Sequence, residues 1–194
     1  MSTDTRKQGP KRSETSRAAI LEATREELAE QGWRKFSVDN VAKRAKASKQ
    51  TIYRWWPSIG AMCVESALEL IPQRATDGRD PVERLTGIFL PLEAAARTGA
   101  GHAILRAALI AAADDSDAGE TWRQWLQEHM RMPLRMLMAE LAAKQVVRRD
   151  WALDDAMEQM LGPFWHRLVV MRAPVQEGQT RNQATHVLKL FEAG

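Results

Sequence analysis

SKQTIYRWWPS, residues 48–58, carries two of the chain's seven tryptophans and its only tyrosine, beside a lysine, a glutamine and an arginine. Ser48 is a good helix cap, and Pro57 stops a helix. Set on a helix, Ser48, Ile52 and Trp56 share one face, while Lys49, Gln50 and Tyr53 share another. A helix wedged by its apolar face against two others turns the remaining face outward. Here that face holds two side chains able to read base edges or phosphates. A duplex major groove admits one helix, whose N-terminal residues meet the bases. Ile52 and Trp56 then anchor the helix from behind, while Tyr53 and Trp55 press on the sugar–phosphate edge.

The flanking residues supply the two supporting helices. A first helix, capped by Ser13 or Thr15, places Ile20, Leu21, Thr24 and Leu28 at helical spacing and ends at Gly32. A second follows Ser37, with Val38, Val41 and Ala42 on one face, and stops near Ala45. Two short helices joined by a turn of about three residues make a helix-turn-helix. Charge agrees with this. The chain's formal net charge is only +3, yet residues 33–59 hold seven lysines and arginines against one acid, Asp39. Residues 1–12 are polar and aperiodic, with Arg6, Lys7, Lys11 and Arg12, and read as a disordered basic arm.

The 194 residues are enough for a small domain joined to a larger one. No apolar run has membrane-spanning length and no signal-peptide core precedes the first helix, so the expectation is a cytoplasmic chain that engages no membrane. The single cysteine, Cys63, excludes an internal disulfide and reads as a small buried residue. Beyond residue 58 everything reads as helix: 58–71; 81–98, which Pro91 should kink; 102–113, apolar nearly all round and so central; 119–144, bent by Pro133; then 154–171 and 180–192. Loops are expected at 79–83 and 172–180.

With residues 13–60 assembled, the segment AAILEATREELAEQGWRKFSVDNVAKRAKASKQTIYRWWPS resembles the DNA-binding domain of the TetR family of bacterial transcriptional regulators. The resemblance rests on Gln31-Gly32-Trp33, Phe36-Ser37, Ala42, Ser48-Lys49 and Thr51-Ile52-Tyr53. LGPFWHRLVV, residues 161–170, is similar to a motif of one common sensor-domain group of that family. The sequence departs from the family pattern at Lys46, where glycine is usual in the turn, and at Gln50, Trp55 and Ile59, where a small residue, histidine and lysine are frequent. The resemblance implies an all-α fold: a disordered arm (1–12), a three-helix DNA-binding head (13–57) and a helical effector-binding and dimerisation domain (58–194). It implies a homodimer on double-stranded DNA with a roughly palindromic operator. Ser37, Ser48, Lys49, Gln50, Thr51, Tyr53 and Trp55 are then the expected DNA contacts.

Two stripes follow helical spacing near the end of the chain: Met157, Met160, Leu161, Phe164, Trp165 and Leu168, then Ala184, Val187, Leu188 and Phe191. Such stripes are core, and the resemblance also gives them a part in a four-helix dimer interface, with Leu161, Trp165, Leu168, Val187, Leu188 and Phe191 as candidates. Tryptophan offers flat apolar area and methionine adapts its shape. His102, Trp122, Trp125, Met130, Phe164 and Trp165 are therefore candidates to line an effector pocket. DDSD at 114–117 lacks the one-face spacing and second acidic cluster of a magnesium site, and reads as a capped interhelix loop. GAGHAI at 99–104 has isoleucine where a dinucleotide fingerprint needs its third glycine. No metal-ligand spacing or nucleophile–base pattern stands out, so no cofactor and no enzymatic activity are expected. The resulting reading is a repressor released from DNA by a small apolar or aromatic ligand. A DNA-binding dimer controlled by a protein partner or by abundance, an activator, and a helical enzyme with a vestigial head are the other classes the sequence allows.

Overall fold

The computed structural model describes residues 10–72 and 78–194, with side chains from residue 14 onward. Ten α-helices carry these residues: α1 (Pro10–Gln31), α2 (Val38–Arg44), α3 (Lys49–Trp55), α4 (Ile59–Leu68), α5 (Pro81–Arg97), α6 (Gly99–Asp114), α7 (Ser116–Leu126), α8 (Met132–Ala143), α9 (Leu153–Trp165) and α10 (Gln179–Leu190). Among the described residues there is no strand, only an isolated bridge between Val147 and Glu192. None of the described helices is long and apolar enough to cross a membrane. The fold is all-α, with an N-terminal helix-turn-helix and a C-terminal helical body. α1 begins at Pro10, so its first turn takes in residues that the sequence reading gave to the basic arm; residues 1–9 lie outside the described residues.

Two apolar clusters organise the chain. The smaller joins Ile20, Leu21 and Ala23 of α1, Val41 of α2, Ile52 of α3, Trp56, and Met62 of α4. The larger runs through the body and takes in Leu28 of α1 and Cys63, Val64 and Ala67 of α4. α1 and α4 thus serve both clusters. α6 buries Ile104, Leu105, Ala107, Ala108 and Ala111, as its composition predicts, but α4 is the more enclosed: Gly60–Val64, Ser66 and Ala67 are all buried. Burial also pushes the Cys63 thiol well above its ordinary range, with Asp115 adding to the effect.

The interhelix motif at 114–117 is a joint. Asp115 closes α6 and caps α7, accepting from the Ala118 amide at 2.9 Å. The same carboxylate accepts from Ser58 Oγ at 3.0 Å, at the start of α4. Gly60 makes this approach possible, since a Cβ there would meet the Asp115 side chain at 2.7 Å.

The internal prolines are accommodated in different ways. α5 runs through Pro91 without a break. Before Pro133 the chain widens into a π-helical turn, Gln127–Arg131, which separates α7 from α8 in the helix expected over 119–144. Pro163 cannot donate to the Gln159 carbonyl, and Gln183 Nε2 of α10 donates to that oxygen instead, at 2.6 Å. α9 then passes into a second π-helical segment, His166–Met171. Glu93 of α5, buried, caps α10 by accepting from the Gly178 and Thr180 amides at 2.9 and 2.7 Å.

Candidate nucleic-acid interface

The helix-turn-helix is built from local signals. Ser37 caps α2, its hydroxyl accepting from the Asn40 amide at 3.4 Å. The turn after α2 needs a left-handed residue, and Lys46 supplies it at φ +50°, the conformation for which glycine is better suited. Ser48 then caps α3, accepting from the Thr51 amide at 3.1 Å and lying 2.9 Å from the Thr51 hydroxyl. Ile52 and Trp56 are buried against α1 and α2, as expected, and the Trp56 indole N–H donates to Glu65 at 2.6 Å. α3 is therefore fixed from behind and at both ends.

The opposite face of α3 carries Lys49, Gln50, Tyr53 and Arg54, all exposed, with Thr51 half-buried at its edge. Gln50, Thr51, Tyr53 and Arg54 line one open depression on this face. Lys49 is not free: its ammonium pairs with Asp39 of α2 at 2.5 Å, and that contact raises its pKa. Trp55 differs from the rest of the expected contacts. It is half-buried, its ring packs 6.4 Å from that of Trp56, and its indole nitrogen is buried without a hydrogen-bond partner among the described residues. A DNA contact from Trp55 would have to come through its ring. Arg44 is tied back to α1 by Glu30 and Glu26, which hold its guanidinium firmly protonated. Two members of this surface, Arg54 and Asp39, stand outside the set of DNA contacts expected from the sequence. Arg54 stands one turn beyond Gln50, a signal that i, i+4 spacing could have given, whereas the pairing of Asp39 with Lys49 depends on the turn between α2 and α3.

The candidate ligand residues divide. Trp125 and Met130 line a cavity of about 450 Å³ between α1, α4, α5 and the π turn, together with His129. Trp122 lies in the core behind it. A run of rings connects these positions: His129 stacks on Trp125 at 4.9 Å, Trp125 lies 5.8 Å from Trp122, Trp122 5.8 Å from Trp165, and Trp165 4.9 Å from Phe164. His102 sits apart from this cavity, donating from Nε2 to the Ala173 carbonyl at 3.0 Å.

The candidate dimer residues divide too. Leu161, Leu168, Val187 and Phe191 are buried within the chain's own core, so they have no surface to offer a partner. Only Trp165 and Leu188 are partly exposed. The apolar stripe is intramolecular for those four. The outward sides of the last two helices carry Asp155, Glu158, Gly162 and His166, and Arg181, Thr185 and Lys189.

Residues 20–75 match the model of the bacterial regulatory proteins of the tetR family. The chain is 25% identical over 193 residues to YdeS of Bacillus subtilis, an uncharacterized HTH-type transcriptional regulator, covering 96% of this chain and 95% of that protein. Over 58 residues, 30% of each chain, it is 45% identical to the DNA-binding transcriptional repressor TetR of Mycobacteroides abscessus. Among solved structures it superposes on the TetR family transcription regulator SCO0332 with a TM-score of 0.61 at 25% identity, covering 90% of this chain and 97% of that one.

Proposed function

Because the chain belongs to the TetR family of DNA-binding transcriptional regulators, we propose that it acts as a homodimeric repressor released from a palindromic operator by a small apolar or aromatic ligand. The observation that carries this is the outer face of α3. Lys49 and Gln50 stand in its first turn, Tyr53 and Arg54 one turn on, and all are exposed while Ile52 and Trp56 hold the helix from behind. Lys49 and Gln50 would read base edges. Ser37, Ser48, Thr51, Tyr53 and the ring of Trp55 would position the helix on the backbone. Residues 13–57 act as the reading head and 58–194 as the effector and dimer unit.

A dimer sets two reading heads about one helical turn of DNA apart. α9 and α10 are the proposed contact. Their outward charges favour an isologous pairing, with Asp155 and Glu158 on one helix and Arg181 and Lys189 on the other. Release follows from α4, which starts beside α3, places Met62 in the head cluster and reaches the cavity at Glu65 and Leu68. A ligand that fits one arrangement of α4 better than another shifts the spacing of the heads.

Selection of binding sites from a random DNA pool with the purified chain, at two salt concentrations, tests this reading. The expected result is an enriched palindrome bound by two chains, with affinity falling steeply as salt rises. Absence of any enriched sequence would sink the sequence-specific reading; enrichment of a lone half-site bound by one chain would sink the dimer.

A further inference from the structure

The cavity beside α4 has apolar walls, including Ile88, Trp125 and Met130, but three charged side chains also face it: Arg17, Glu65 and Glu69. Their arrangement is specific. The Arg17 guanidinium reaches from α1 to α4 and pairs with Oε1 of Glu65 through Nη2 and with Oε1 of Glu69 through Nη1, the latter at 3.3 Å. The second oxygen of each carboxylate is held by another group. Glu65 Oε2 accepts from the Trp56 indole at 2.6 Å, and Glu69 Oε2 accepts from Arg25 at 3.1 Å. Both carboxylates would therefore stay in place if Arg17 left. The chain's own guanidinium sits on these two carboxylates at the edge of the cavity.

We propose that this cavity binds an amphipathic organic cation, its apolar or aromatic body against Trp125, Met130 and Ile88 and its charged end replacing Arg17 at Glu65 and Glu69. The proposal rests on the ligand-responsive reading above and names the class of ligand. An anion would meet two carboxylates, and a neutral ligand would leave the Arg17 pairs untouched. A cation restores the positive charge that both carboxylates would lose when Arg17 leaves, while its apolar body packs against the cavity wall. The exchange also has a consequence for the head. Arg17 ties α1 to α4, and Glu65 is bonded to the residue that closes α3. Removing Arg17 loosens the head on α4 at the point nearest the reading helix.

The test uses the full chain and three probes that share a 2-naphthylmethyl body: (2-naphthylmethyl)trimethylammonium, its neutral all-carbon isostere, and 2-naphthylacetate. Binding is followed by calorimetry and operator occupancy by fluorescence anisotropy. The cation is expected to bind at least about ten-fold more tightly than either control and to lower operator occupancy. Glu65→Gln and Glu69→Gln should each weaken the cation about ten-fold without changing the neutral probe, and Arg17→Met should tighten it, which loss of folding cannot imitate. Equal or tighter binding of the neutral or anionic probe, or variants without these opposed effects, overturns the cation class and leaves ligand response standing. Binding of none of the three also overturns it. The parent reading falls separately, if no compound of any charge changes operator occupancy.

Discussion

Asp39 and Lys49 show how one carboxylate can set the behaviour of a reading helix. Both side chains are exposed, 59% and 51%, yet they pair at 2.5 Å across the turn between α2 and α3. On the proposed reading, a lysine so held would present a neutral pair to non-specific DNA and would read a base only where a site separates it from Asp39. Asp39→Asn frees the charge. The variant should bind random-sequence DNA more tightly, with a slope of log affinity against log salt steeper by about one, the contribution of one more neutralised phosphate. An unchanged slope in a salt titration would show that Lys49 already spends its charge on DNA. At this scale much was legible: Ser37, Ser48, Ile52, Trp56 and Tyr53 stand as their spacing predicts, because caps and helical faces are local properties. The Asp39 pair and the buried nitrogen of Trp55 were not, since each depends on how two helices meet.

At the scale of elements, the body is held by polar contacts between helices far apart in sequence. Glu93 of α5 caps α10 through two amides from a buried position. Glu93→Ala leaves those amides without their partner and should destabilise the fold by about 2–3 kcal/mol, read by chemical denaturation. Arg84 of α5 and Lys144 clamp Glu140 of α8, and lower its pKa from the ordinary 4.5 to about 2, the Arg84 hydrogen bond contributing most. The folded value lies below the unfolded one, so this contribution is complete above pH 4.5 and is lost as pH falls toward about 2. Glu140→Gln should therefore lower the Tm above pH 4.5, where the contribution is complete, flatten the acid side of the Tm–pH curve between 4.5 and about 2, and change little below that window. Helix positions were largely legible, since Gly32, Ser48 and Pro57 punctuate the chain. The π turns were not, because a proline shows where a hydrogen bond is missing but not how neighbouring helices repair it. Apolar stripes on α9 and α10 announce burial without saying against what. That is why Leu161, Leu168, Val187 and Phe191 turn out to face their own chain.

Across the whole molecule, α4 is the part that head and body share. Ser58 and Gly60 at its start meet Asp115, Met62 enters the head cluster, and Glu65 faces both Trp56 and the cavity. Gly60→Ala would press a methyl group into Asp115. It should lower stability by about 1–3 kcal/mol and alter operator affinity as well, because the same contact fixes where α4 begins. Unaltered affinity in the folded variant would show that α4 does not position the head. The cavity was half legible from sequence: Trp125 and Met130 were foreseeable from residue type, but no spacing brings Arg17, Glu65 and Trp125 together. The most direct test of the account concerns α3 itself. Sites selected from a random pool by the wild type and by Gln50→Ala should differ at one base pair in each half-site, where the variant loses its preference, and agree elsewhere. Identical selected sequences would mean that the outer face of α3 does not read the bases.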